Sequence, residues 1–337
     1  MNTTGTLFRI SLFGESHGSS VGVTVDGIPA GLPLCESDLL ADLARRKPGA
    51  RGTTPRRETD TPRIVSGVFD KHTTGAPLTV LFDNDNTVSG DYSNLVSHPR
   101  PGHSDFVARV KYGGFNDYRG GGHFSGRITL GLVVAGSIAK KMLSRYGVAI
   151  SAGVTAVGGC DDQGRFADII EEAMAHGDSV GGIVECTATG VPVGWGEPFF
   201  DSVESRMSHL LFSIPGVRGV EFGEGFASAA RTGSQHNDPI ADAAGHTVTN
   251  HAGGVNGGIT NGNDIVCRIA VKPTSSISAP QDTYDFSADT VAPLRVRGRH
   301  DACIALRVPV IAEAAVAVVL ADLMLVALSA GRFSEKR

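Results

Sequence analysis

Several common devices are missing from this chain, and each absence removes a class of chemistry. No G-x-G-x-x-G follows a strand pattern, so a dinucleotide-binding Rossmann unit is not indicated, and neither G-x-x-x-x-G-K-[ST] nor H-E-x-x-H occurs. Cysteine is scarce: Cys35, Cys160, Cys186, Cys267 and Cys303 are odd in number, widely spaced and never at metal-knuckle distance. They are expected as reduced, buried thiols of a cytoplasmic protein without a metal site. His98 and His103 flank a proline and a glycine at a separation that suits zinc poorly. The N-terminus has no basic region leading into an apolar core, so no secretory signal is expected. Neither sign of charge dominates: 30 basic residues face 35 acidic ones, and nothing global favours nucleic acid or an anionic membrane. Aromatic residues are only 6 % of the chain and do not interleave with its arginines, which disfavours an RNA surface. The most apolar segment, 304–330, is interrupted by Arg307, Pro309, Glu313 and Asp322 and reads as a buried helix, not a membrane span.

Glycine is abundant, at 44 of 337 residues, and scattered without a period, which implies many turns and close backbone approaches. The densest chemistry lies in residues 97–129, S-H-P-R-P-G-H-S-D-F-V-A-R-V-K-Y-G-G-F-N-D-Y-R-G-G-G-H-F-S-G-R-I-T. Gly120, Gly121 and Gly122 would leave backbone N–H groups open to an anion just before a helix pattern over 130–146. A plain surface loop is the competing reading. His17 sits in G-E-S-H-G between strand patterns at 6–10 and 21–25, placed to give or take a proton near neutral pH if it is not merely solvated. Six arginines fall between positions 45 and 63, compatible with a solvated face, an RNA patch or a phosphate clamp.

Periodicity predicts helices over 37–47 (Ser37 as N-cap), 166–176, 202–212 (Ser202 near its start) and 310–328. Strands are predicted over 63–69, 77–82, 148–158, 182–192, 217–222 and 264–271. The long polar, glycine-rich segment 226–262 is expected to be functional, and 284–296 carries little pattern. This grammar suggests α+β units with mixed or antiparallel sheets. Separated loops bearing histidine, arginine, aspartate and small polar residues suit an enzyme acting on a small polyanion better than a binding scaffold.

The ordered blocks T-L-F-R-I-S-L-F-G-E-S-H-G, R-R-K-P-G, R-P-G-H-S-D, K-Y-G-G-F-N-D-Y-R-G-G-G, N-H-A-G-G-V-N-G-G-I, K-P-T-S-S-I, G-R-H-D-A-C and P-V-I-A-E-A cover essentially the whole chain. In that order the chain resembles the chorismate synthase family. The resemblance implies an α+β fold with helices sandwiched between antiparallel sheets. It implies one catalytic domain over 1–330 with a tail at 331–337, and a cytoplasmic homotetramer. It further implies elimination of phosphate from 5-enolpyruvylshikimate 3-phosphate, a small-molecule substrate, to give chorismate, with reduced FMN (FMNH2) as cofactor. Some members reduce FMN themselves with NADPH and others rely on an external flavin reductase; either fits. By the family's pattern His17 lies near the leaving phosphate as proton donor, His103 near the flavin ring, and Asp301 assists the flavin in taking the ring hydrogen as a proton. Arg46, Arg51 and Arg127 match anion contacts. The FMN positions map onto His123, Phe124, Ser125, Pro215, Gly216, Gly257, Lys272, Pro273, Thr274, Ser275, Ser276 and Arg299. Where several members have R-S-S and A-R-E-T, this chain has H-F-S and G-R-I-T, so His123 is expected as a partly charged donor and Phe124 as a packing ring. A flavin-binding protein without catalysis, or a flavin-free lyase on another polyanion, are the alternatives.

Overall fold

Alternating apolar residues build two antiparallel sheets in the computed structural model, which describes every residue except 50, 51, 54–58, 85–88, 297, 299 and 331–337. The first sheet contains β1 (Thr3–Thr4), β2 (Arg9–Gly14), β3 (Ser20–Asp26), β4 (Arg63–Ser66) and β5 (Leu78–Asp83), in the order β1-β2-β3-β5-β4. The second contains β6 (Ala149–Val157), β7 (Gly182–Thr189), β8 (Val217–Phe222) and β9 (Ile265–Val271), in the order β8-β9-β7-β6. In β9 the period of two is complete: Ile265, Cys267, Ile269 and Val271 are buried and the residues between them are not.

Among the described residues, six helices of seven residues or more fill the space between and around the sheets: α1 (Leu40–Arg46), α2 (Asp105–Lys111), α3 (Thr129–Leu143), α4 (Phe166–Ala175), α5 (Val203–Leu211) and α6 (Pro309–Ser329). Helix α3 packs on β3, and α6 packs on β6 and β7 and against α3. The helices are thus the middle layer of a sheet–helix–sheet sandwich. A Cβ on Gly136 would come within 2.3 Å of Ala314, so glycine at this position lets the two helices approach closely.

Helix α6 is long and apolar enough to cross a membrane by composition, yet most of it is buried inside the protein. Its two carboxylates, Glu313 and Asp322, are each 2 % exposed, and burial of such charges is tolerable only when they are paired and hydrogen-bonded. Glu313 takes a bidentate contact from Arg45 at 2.6 and 2.7 Å, Lys140 at 3.2 Å and the Ala152 N–H at 2.9 Å. Asp322 accepts the backbone N–H groups of Thr6, Leu7 and Phe8 and the guanidinium of Arg206 at 2.7 Å.

The expected strands and helices are present with bounds shifted by a few residues, and Ser202 caps α5 by accepting from Ser205 N–H. Other expectations are corrected. The helix expected from Ser37 begins with a 3-10 turn, Glu36–Leu39, in which Asp38 accepts the Cys35 N–H at 2.9 Å. Helix α3 is buried nearly all round because layers cover both its faces. Only Cys186, Cys267 and Cys303 are buried, whereas Cys35 and Cys160 are half-exposed; all five are free thiols. Helix α2 and the hairpin Gln281–Asp285/Thr290–Leu294 were not anticipated. The tail at 331–337 lies outside the described residues.

Replacing Asp322 by alanine would strand three backbone donors and a guanidinium. The expected loss is about 3–5 kcal/mol in urea unfolding at neutral pH; a loss below about 1 kcal/mol would show that Asp322 is not an essential tie.

Candidate active site

The loop from β2 to β3 carries Ser16 and His17, and the glycine run of residues 120–122 is its seat. Ser16 N–H donates to Gly122 O at 3.1 Å, and Ser16 Oγ donates to the carbonyls of Arg119 and Gly120 at 3.2 and 3.0 Å. Gly120 has φ +58° and a Cβ there would fall 2.5 Å from the His17 ring, so only glycine admits the histidine. The run thus has a second job beside the expected anion cradle, the seating of His17. The His17 ring meets Tyr92 edge-on, with centroids 5.2 Å apart.

His103 precedes α2, and Asp105 is that helix's first residue. Asp105 Oδ1 lies 2.7 Å from His103 Nδ1. Arg100 donates to Asp105 through Nε at 2.7 Å and Nη2 at 2.8 Å, and through Nη1 to Ser276 Oγ at 2.8 Å. Burial alone would raise the Asp105 carboxyl, but hydrogen bonds from Arg100 and His103 outweigh it and hold the group far below the usual carboxylate range.

A second carboxylate organises the arginines. Asp60, with a fully buried side chain, accepts from Arg46 Nη2 at 2.9 Å and Arg127 Nη1 at 3.0 Å. Burial pushes Asp60 up and the two guanidinium groups pull it down further, so its carboxyl sits below the ordinary value. Asp60 thus bridges the two guanidinium groups. Asp301 is held by Arg307 Nη1 at 3.1 Å, and Arg307 Nε donates to Arg46 O at 2.9 Å.

The loop leaving β9 closes the ring. Lys272 Nζ donates to Gly102 O at 2.6 Å and Ser275 Oγ donates to the same carbonyl at 2.9 Å, stapling this block to the His103 loop. Burial and nearby Arg218 lower the Lys272 amine. Thr274 Oγ1 is buried without a hydrogen-bond partner, an unmet group of the kind that calls for an explanation.

One cavity of about 1440 Å³ is lined by His17, His103, Asp301, Arg46 and Arg127 together with His123, Phe124, Ser125, Pro215, Gly216 and the block Lys272, Pro273, Thr274, Ser275, Ser276. Arg51 and Arg299 lie outside the described residues. Gly257 does not line this cavity: with Gly258 it forms the positive-φ turn (φ +61° and +88°) of the hairpin Val255–Asn256/Ile259–Thr260. Glycine is there for the turn. His123 also departs from expectation, since its Nδ1 faces Gly14 O at 2.7 Å. With Nδ1–H donating there, Nε2 is a donor only when the ring is protonated. Ser125 Oγ accepts the Arg127 N–H at 3.3 Å and so caps the short 3-10 turn Gly126–Ile128. Sequence reasoning missed Arg100, Asp105, Asp60 and Arg307. The R-P-G-H-S-D spacing was the available signal for the first two.

The family model described as Chorismate synthase matches residues 8–325. A chorismate synthase of Chitinophaga pinensis is 61 % identical over 325 residues, covering 96 % of this chain and 97 % of that one. One of Thermococcus gammatolerans is 46 % identical over 344 residues, covering 95 % and 97 %. A crystal structure of a chorismate synthase superposes with a TM-score of 0.72 at 29 % identity, covering 96 % of this chain and 94 % of that chain.

Asp60 and Asp105 give a signed pH prediction. Both carboxyls lie below the ordinary value of about 3.9, so below about pH 4 the unfolded chain binds more protons at these groups than the folded one. Their stabilisation is present above that pH and is lost as pH falls through their folded values. Asp60→Asn should cost about 1.5–3 kcal/mol in urea unfolding at pH 6, with the gap from wild type closing below about pH 4. A gap independent of pH would refute the linkage.

Proposed function

The chain belongs to the chorismate synthase family and has its lyase activity, conversion of 5-enolpyruvylshikimate 3-phosphate to chorismate and inorganic phosphate; we propose that the cavity holding His17, His103 and Asp301 is where it occurs. The observation that carries this placement is convergence. Candidate proton-transfer groups from positions 17, 103 and 301 share one cavity with the paired Arg46 and Arg127.

The reaction removes a proton from one ring carbon and phosphate from another, with anti geometry. Its substrate carries a phosphate and two carboxylates, and the planar donors of Arg46 and Arg127 suit such groups. Asp60 keeps the two guanidinium groups in fixed relation, so less freedom is lost when substrate binds. Seated by Gly120 and Tyr92, His17 gives its proton to the leaving phosphate. Asp301, steadied by Arg307, assists departure of the ring proton, and His103 holds or releases a proton at Nε2.

Reduced FMN, when bound, lends the electron density that an unactivated ring C–H requires and recovers it, so the reaction has no net redox change. Members of the family depend on FMN, and the residues here fit it: the Thr274 hydroxyl is buried and unpartnered, and it lies in the cavity with Lys272, Pro273, Ser275, Ser276, Pro215 and Gly216. Phe124, 40 % exposed, offers a ring face beside His123 and Ser125. The reading includes residues 1–330 as one catalytic domain in a cytoplasmic homotetramer. Free thiols support the compartment, and the exposed Phe199, Phe200 and Phe226 support association.

Purified chain with reduced FMN under anaerobic conditions should release phosphate from 5-enolpyruvylshikimate 3-phosphate, and His103→Ala should lower turnover by roughly 10²-fold or more while FMN still binds. Phosphate release with NADPH and oxidised FMN would assign reduction to this chain; release only after adding a flavin reductase would assign it to a partner. FMN binding with no phosphate release in any arm would make the chain a flavin-binding protein instead.

A further inference from the structure

Asp105 has no role in the reaction as derived so far, yet it is the group most tightly organised around His103. Its Oδ1 is 2.7 Å from His103 Nδ1 and 2.8 Å from Arg100 Nη2. Its Oδ2 accepts from Arg100 Nε at 2.7 Å and the Arg100 backbone N–H at 3.2 Å. Arg100 in turn reaches Ser276 Oγ at 2.8 Å. Arg100 and Ser276 are buried, 6 % and 7 % exposed.

The proton on His103 can be placed from this geometry. An unprotonated Nδ1 would point its lone pair at a carboxylate oxygen 2.7 Å away, which is repulsive. A protonated Nδ1 instead places its positive hydrogen beside that carboxylate, an ion-pair contact at 2.7 Å. Arg100 Nη2 is also within hydrogen-bonding reach of Nδ1, at 3.1 Å, a contact that would suit an unprotonated nitrogen; the carboxylate contact is the shorter and carries the full negative charge, so it decides. Nε2 is left on the side of Gly121, where an added Cβ would lie in ordinary contact with it at 3.7 Å. Nor is Asp105 spent as a helix cap, because its oxygens serve His103 and Arg100 and not the first-turn amides of α2.

We infer that Asp105 is a positioning residue for the elimination, fixing His103 in the tautomer protonated at Nδ1 with Nε2 presented to the cavity, while Arg100, pinned to Ser276, keeps the carboxylate from turning away. This rests on the role proposed for His103. It also joins that histidine mechanically to the Lys272–Ser276 block, so the two sides of the cavity are set relative to each other by one chain of hydrogen bonds.

The test is a double-mutant cycle on the full chain with saturating reduced FMN, comparing wild type, Asp105→Asn, His103→Ala and the double variant. Asp105→Asn alone should lower kcat roughly 10–100-fold, the usual scale for an outer-shell partner, with KM within about 3-fold. In the His103→Ala background the same change should have no further effect on kcat. If His103→Ala lowers kcat and Asp105→Asn multiplies that loss, Asp105 does not act through His103 and this inference is overturned alone. If His103→Ala leaves kcat at the wild-type level, the role given to His103 falls, and the inference with it. A check on the unsubstituted His103 ring covers failure of Asp105→Asn to fold. The ring 15N signals of His103, identified by their absence in His103→Ala, should show the neutral ring protonated at Nδ1; a proton on Nε2 would overturn the inference.

Discussion

A helix buried on all sides has no outlet for a charged side chain except an internal partner, and α6 carries two. Glu313 and Asp322 convert that constraint into the wiring of the molecule. Glu313 ties α6 to α1, α3 and β6; Asp322 ties it to α5 and the segment entering β2. The two sheets face each other across helices that they both contact, and the loops at the end of this stack can therefore be held in register. Without those ties the same apolar helix would bury uncompensated anions, at a cost of about 3–5 kcal/mol for each.

The cavity repeats the device on a smaller scale. Four of the cations and proton carriers considered above are held by a neighbouring carboxylate or carbonyl: Arg46 and Arg127 by Asp60, His103 by Asp105, and Lys272 by Gly102 O. Asp301 is held reciprocally by Arg307. Fixing dipoles and charges before substrate arrives avoids reorganising them during reaction, which is the larger part of electrostatic catalysis. Net charge said little about function because the pairing is local, with Asp60 bridging two guanidinium groups.

Most of the secondary structure was legible because strands such as β9 and helices such as α5 carry an undisturbed period and a clear cap. Helix α3 was legible from its spacing of apolar residues, although a middle layer buries both its faces, and one-sided amphipathicity is a property of outer helices. The hairpin Gln281–Asp285/Thr290–Leu294 is polar along much of its length and contains Pro293, so alternation is weak there. In the site, His17, His103 and Asp301 could be named from ordered motifs. Gly120 as a seat could not, because the requirement is set by a ring 103 positions away that only the fold brings near. Gly257 shows the converse, a motif glycine that answers to its own turn.

The Asp322 tie also sets a schedule. Thr6 N–H waits for an acceptor 316 positions later, and at about 5–20 residues per second the ribosome needs roughly 15–60 s to deliver it. Until then α3 and the second sheet exist, if at all, without the helix that covers them and with an apolar face open to water. For this chain the dangerous period is synthesis itself, and the last twenty-odd residues of the fold, α6, are the ones that end it.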